Sequence, residues 1–151
     1  MPAGPLRLIL VVDDDEKVRA FLSETLKRSG YGVWEAASTT LAVKILSERR
    51  INLVIGDATR LEQDGGLRKL RHAQPGIKIL AMTGAFPAIS IAPRFVRRRV
   101  RFSLMDPAGL KARLFLGADG TLPKPVSVEL LIETTKRLLG ETLERDPPGA
   151  S

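Results

Sequence analysis

Apolar positions along this chain switch between two periods. Leu8 to Val12 is a short, wholly apolar run rich in β-branched residues, the pattern of a strand buried on both faces, and it ends in acid at Asp13 and Asp14. Val18, Phe21, Leu22 and Leu26 then fall on one helical face, and Gly30 stops that helix. Gly32 to Ala36 reads as a second strand, and Ser38 is placed to cap a helix that buries Leu41, Ala42, Ile45 and Leu46. Leu53 to Ile55 forms a third apolar strand, ending at Asp57. A shorter helix around Leu67 and Leu70 stops at Gln74-Pro75-Gly76, and Ile77 to Met82 forms a fourth strand ending at Thr83.

Between Thr83 and Asp106 no clean period survives. Asp106-Pro107 then reads as an N-cap with proline at the first helical position, and Gly117 as that helix's stop. Ala118 to Leu122 gives a fifth strand ending near Lys124, and Ser127 caps a last amphipathic helix through Leu130, Leu131, Leu138 and Leu139. Five strands alternating with five helices predict an α/β fold, with a parallel sheet covered on both faces. Met1 to Pro5 and Asp146 to Ser151, both rich in Pro and Gly, read as a disordered leader and tail around one domain spanning 6–145.

Composition narrows the chemistry. With 151 residues, 44% apolar and 27% charged, the chain suits one self-sufficient globular domain. The absence of cysteine excludes disulfides, thiolate zinc sites and a cysteine nucleophile, and a lone histidine, His72, excludes a three-histidine zinc centre. The first apolar run is too short for a membrane span or a signal-peptide core, so a cytoplasmic protein without a membrane partner is expected. The net charge of +7 is concentrated: residues 85–113 hold seven Lys and Arg against Asp106 alone. Within that stretch Arg94, Arg97, Arg98, Arg99 and Arg101, interleaved with Phe95 and Phe102, form either a solvated face or a candidate partner-binding surface. An acidic protein ranks ahead of nucleic acid as its partner. Trp34 reads as packing and His72 as a surface residue.

Chemistry enters where polar residues end otherwise apolar strands. Asp13 and Asp14 follow the first strand, Asp57 ends the third, Thr83 the fourth and Lys124 the fifth. In an open parallel α/β sheet these carboxyl ends share one edge, where a crevice opens. Clustered carboxylates need a cation, and hard oxygen donors suit Mg²⁺, which often shares its shell with phosphate. A lysine and a hydroxyl nearby would serve the remaining phosphoryl oxygens, so phosphoryl transfer to a carboxylate is the expected chemistry. Asp14 or Asp15 as a helix cap accounts for one of these acids, not for the set.

These segments resemble the receiver domain of two-component response regulators. Leu8 to Glu16 looks like that family's first strand with its acidic pair, and Leu53-Val54-Ile55-Gly56-Asp57 like its phospho-acceptor strand, with Asp64-Gly65 following where the pattern expects. Ile79 to Gly84 is similar to the strand carrying the switch threonine, and Gly117-Ala118-Asp119 through Lys124-Pro125 to the family's ending, with a cis peptide before that proline. The resemblance implies a flavodoxin-like, doubly wound, five-stranded sheet in order 2-1-3-4-5. It also implies that Asp57 is the phosphorylated nucleophile and that Asp14, Asp57 and the backbone carbonyl of Thr59 hold Mg²⁺, with Asp13 acting through water. Lys124 and Thr83 would take phosphoryl oxygens. The expected protein is a stand-alone CheY-like response regulator in a phosphorelay, charged by a sensor histidine kinase or phosphotransfer protein and read by an unidentified downstream protein. It would catalyse only its own phosphorylation and dephosphorylation.

Three departures stand out. Leu61 replaces a usual proline, and Thr121 replaces the usual switching aromatic, which removes a ring-flip readout. An extra basic segment, 84–105, lies between strand four and the fourth helix, which suggests that the readout has moved there. Three other functions compete: a degenerate receiver acting as a constitutive interaction module, a nucleic-acid binder using Arg94 to Phe102, and an aspartate-nucleophile phosphohydrolase built on Asp13 and Asp15. The hydrolase leaves Asp57 without a role.

Overall fold

The apolar runs pair as their pattern predicts. In the computed structural model, which describes residues 6–83 and 117–141, strands β1 (Leu8–Val12), β2 (Gly32–Ala36), β3 (Leu53–Asp57), β4 (Lys78–Thr83) and β5 (Gly120–Pro123) form one sheet. Every pairing is parallel and the order is β2-β1-β3-β4-β5, as expected of the flavodoxin-like arrangement. Helices α1 (Glu16–Arg28), α2 (Thr39–Glu48), α3 (Ala58–Glu62), α4 (Gly66–Ala73) and α5 (Val128–Leu138) connect and follow the strands, with a 3-10 turn at Gln63–Gly65. The basic run Arg94 to Arg101, the segment 84–105, the helix expected after Asp106, and the leader and tail lie outside the described residues.

Alternate side chains of each strand serve opposite cores, as a sheet buried on both faces requires. Leu10, Val12, Val54, Ile79 and Ala81 pack with Leu46 of α2, Leu61 of α3 and Leu70 of α4. Ile9, Val11, Ile55, Leu80 and Met82 pack on the other face with Leu22 and Leu26 of α1 and Leu131 of α5. The buried stripes are narrower than the sequence reading. Phe21, Leu41 and Leu130 are 44%, 42% and 39% exposed, because each sits one residue, about 100° of helix, from the side chain that points inward. Trp34 is half-buried, with the Arg49 guanidinium 3.9 Å from its ring centre.

Helix caps follow the sequence closely. The Asp15 side chain accepts the Lys17 and Val18 N–H groups, Ser38 accepts that of Leu41, and Ser127 that of Leu130. The expected helix around Leu67 and Leu70 is α4, which stops at Gln74, and a short helix α3 and a 3-10 turn that the sequence reading did not include precede it. Without proline at 61, a helical turn closes directly after Asp57. Leu61 is then fully buried, against Gly56 and Gly66. A Cβ on Gly66 would stand 2.5 Å from the Leu61 carbonyl oxygen, so the turn into α4 needs glycine there. The fifth strand also starts later than expected. Ala118-Asp119 precede it as a docking turn, in which Asp119 N–H donates to the Ile79 carbonyl and its Oδ2 accepts the Ile79 N–H, both at 2.8 Å.

At the amino-terminal end of the sheet, the Tyr31 hydroxyl donates to Glu141 Oε2 at 2.7 Å and ties the turn before β2 to the chain after α5. Burial, and then the Glu141 carboxylate, push the hydroxyl well above its ordinary value of 10.0. The fold thus favours the protonated phenol, so the stability it supplies is complete below about pH 10 and drains away as pH rises further. Tyr31→Phe is expected to lose about 1 kcal/mol in denaturant melts at neutral pH. The same variant should lose less stability than the wild type between neutral pH and pH 10 to 11, which paired melts would show.

Candidate functional site

Parallel register delivers the strand ends to one rim. Val12 pairs with Gly56, Asp57 with Met82, and Thr83 with Pro123, so Asp13, Asp57, Thr83 and Lys124 emerge side by side. The Asp13 N–H donates to the Ala36 carbonyl at 3.1 Å, and the Lys124 N–H to the Thr83 carbonyl at 2.8 Å, holding both residues to the sheet. The Lys124-Pro125 peptide is cis, as the resemblance implied.

Asp57 lies at the centre of the group. Its Oδ1 accepts the Lys124 ammonium at 2.5 Å across 67 residues of sequence, and its Oδ2 accepts the Arg60 N–H at 3.3 Å as the N-cap of α3. Its side chain is 20% exposed, reachable from solvent yet fixed at both oxygens. Asp13 is different. Only 2% exposed, it accepts the Asp15 N–H through Oδ1 at 2.9 Å, while its buried Oδ2 has no partner among the described residues. Burial pushes the Asp13 carboxyl above the usual carboxylate range; the charges of Asp57 and Asp14 add to the rise, and the Asp15 N–H and the Lys124 ammonium oppose it. Asp14 is half-exposed and paired with the Arg60 guanidinium, which holds its carboxyl below the usual range.

The Thr83 hydroxyl donates to the Leu122 carbonyl at 3.5 Å, and Thr121 sits half-buried on β5 opposite Ala81. Thr59 is exposed on α3, and its carbonyl accepts the Gln63 N–H. No group of three or more His, Cys, Asp or Glu side chains among the described residues is gathered for a metal ion. The donors at the rim nevertheless fit Mg²⁺, an ion held through one or two carboxylates with waters completing its shell. They are oxygens throughout, and one of them, Asp13 Oδ2, is buried without a partner.

Sequence reasoning missed two arginines. Arg60 reaches Asp14, and Arg19 donates to the Asp13 carbonyl at 2.8 Å and to Glu35 at 3.2 Å. The signal for Arg60 was the missing proline: a helical turn starting at Asp57 puts the third residue onward beside its cap. His72 is exposed, as read. No helix among the described residues is long and apolar enough to cross a membrane.

Comparison with known proteins agrees with the rim. The family of response regulator receiver domains matches residues 9–99. "Response regulator MprA" of Mycolicibacterium vanbaalenii is 35% identical over 97% of this chain and 56% of its own length. The "Sensor kinase CckA" of Brucella abortus is 33% identical over 87% of this chain but 12% of that protein. This chain therefore spans about half the length of the response regulators it matches. A CheY-like receiver protein from Methanospirillum hungatei superposes with a TM-score of 0.65 at 28% identity, covering 90% of this chain and 95% of that one.

A buried carboxylate with an unpartnered oxygen costs stability while no cation is bound. Asp13→Asn keeps the Oδ1 acceptor and removes the charge. In divalent-free buffer at neutral pH it is expected to raise the melting temperature by about 3 °C. Because the Asp13 carboxyl is shifted upward, that gain should shrink as pH falls and the wild-type acid takes up its proton.

Proposed function

This chain belongs to the response regulator receiver domain family of two-component signalling, and on that premise we propose that it is a receiver phosphorylated on Asp57. The observation that carries the reading is the Lys124 ammonium seated 2.5 Å from Asp57 Oδ1 between strand ends far apart in sequence. An ammonium there orients the carboxylate and offers compensation for charge that arrives with a phosphoryl group. Asp57 is also the acid of the three that is both accessible and fixed. Asp13 is buried, and Asp14 is taken by Arg60.

In the step itself an Asp57 oxygen forms a bond to phosphorus, and the phosphorus–nitrogen bond of a phosphohistidine breaks, returning the electron pair to a histidine that takes a proton from solvent. Asp14, Asp57 and the Thr59 carbonyl would hold Mg²⁺, with Asp13 through water, and the ion would supply positive charge to the phosphoryl oxygens. Lys124 follows one phosphoryl oxygen. The Thr83 hydroxyl turns from the Leu122 carbonyl towards another, drawing the end of β4 inward. Thr121, next on β5, has no ring to report that motion, so the readout is assigned to the chain that leaves Thr83. Its basic run Arg94, Arg97, Arg98, Arg99 and Arg101 is the proposed contact for an acidic downstream protein. The donor is a sensor histidine kinase or phosphotransfer protein, and the setting is the cytoplasm.

A phosphohydrolase would need Asp13 as its nucleophile, but Asp13 is 2% exposed and the lysine sits on Asp57. Intact mass after incubation with acetyl phosphate and Mg²⁺ tests the proposal. One phosphoryl group should be gained by the wild type and none by Asp57→Asn. Lys124→Ala should slow the gain by about 10²-fold, the scale of losing one charge-stabilising donor. An equal gain in Asp57→Asn would overturn the assignment.

A further inference from the structure

Among the described residues, the carboxylates of Asp13, Asp14 and Asp57 meet the side-chain cations of Lys124 and Arg60 at the rim. Lys124 compensates Asp57, Arg60 compensates Asp14, and Asp13 keeps an unpartnered buried oxygen. The Arg60 guanidinium comes from α3, whose helical turn starts at Asp57 because position 61 is leucine. Its backbone is held from two sides: the Arg60 N–H donates to Asp57 Oδ2 at 3.3 Å, and its carbonyl accepts the Thr39 hydroxyl at 3.2 Å. Its side chain, 41% exposed, leans on Asp14 Oδ2 and donates to Gln63 Oε1 at 3.5 Å. Arg60 also lines a polar recess with Ser38, Thr39, Thr40, Gln63 and Lys69, which among the described residues offers hydroxyls and a like charge but no carboxylate.

We propose that Arg60 is a tethered counter-ion that competes with the divalent cation for Asp14, so that metal binding requires the guanidinium to leave. The proposal rests on reading the rim as a divalent-cation site and adds a residue that sets its affinity. The two ligands oppose each other on physical grounds. Both draw on the Asp14 carboxylate, and a guanidinium held beside a divalent ion would suffer like-charge repulsion in a partly desolvated pocket. The free pocket is also less negative than three carboxylates imply, because two of its three charges are already matched. Release costs little, since both side chains are substantially exposed and water screens such a pair. The anchored backbone lets the side chain swing into solvent above the recess while the Asp57 contact of the Arg60 N–H stays in place. The site would then fill at a higher metal concentration than the same acids without Arg60.

The test measures binding of Mg²⁺ alone to the full chain, stripped of divalent ions and without a phosphodonor, by titration calorimetry and by the rise in melting temperature. Arg60→Gln removes the charge and keeps the backbone donor. It should bind Mg²⁺ about three- to tenfold more tightly than the wild type. Arg60→Lys, which keeps the charge but loses the fork, should fall between them. Asp13→Asn should weaken binding in both the wild-type and Arg60→Gln backgrounds, marking the site. Unchanged or weaker binding in folded Arg60→Gln and Arg60→Lys, with Asp13→Asn still weakening it, would overturn the competition and leave the metal site standing. Absence of Asp13-dependent Mg²⁺ binding in every background would overturn the site and the competition together. Far-UV circular dichroism establishes that each variant is folded.

Discussion

The contact between Lys124 and Asp57 exists because β3, β4 and β5 run parallel and in step. A slip of one residue in either pairing would turn every strand side chain to the opposite face and separate the two groups. The register is held by burial. Alternate residues of β3 and β4 fill two different cores, and each core penalises the shifted register. The charged rim is therefore a by-product of apolar packing deeper in the sheet. The packing fixes where the strands end, and the sequence places acid, hydroxyl and ammonium at those ends.

Much of this was legible without coordinates. The strands announce themselves as uninterrupted apolar runs, and Ser38, Asp15 and Ser127 sit where caps are needed. Helix faces were read too broadly. Spacing of three and four admits Phe21 and Leu41 to the stripe, and only the depth of the contact with the sheet decides that Leu22 and Ala42 take it. The acids of the site were legible for the same reason as the strands: they interrupt an apolar pattern at its end. Arg60 was not, because its position depends on a helical turn whose existence hinges on the identity of residue 61. The distribution of capping and ligand acids was likewise open. Asp15 takes the cap, which frees Asp13 and Asp14 for the rim.

Asp13 and Asp14 are neighbours with opposite electrostatic surroundings. One turns into the sheet end, loses water and is pushed towards its neutral form; the other stays half in solvent beside a guanidinium and is held ionised. Asp13 is still tied to the sheet through its N–H to the Ala36 carbonyl, whereas Asp14 lies one residue further on, in the bend before α1. An acidic pair after a buried strand is thus a pair of unlike groups, one suited to indirect electrostatic support and the other to direct contact.

Asp119 re-attaches the chain to β4 by a two-way backbone clasp on Ile79, and Arg71 of α4 reaches the Gly117 carbonyl at 2.5 Å. The return point of the polypeptide is therefore secured independently of the connection that leads to it. Closing a longer connection between two fixed posts costs entropy that grows only with the logarithm of its length, about 0.6 kcal/mol per doubling. A change in the number of residues between Thr83 and Gly117 therefore carries a small entropic cost while β5 and its lysine stay docked.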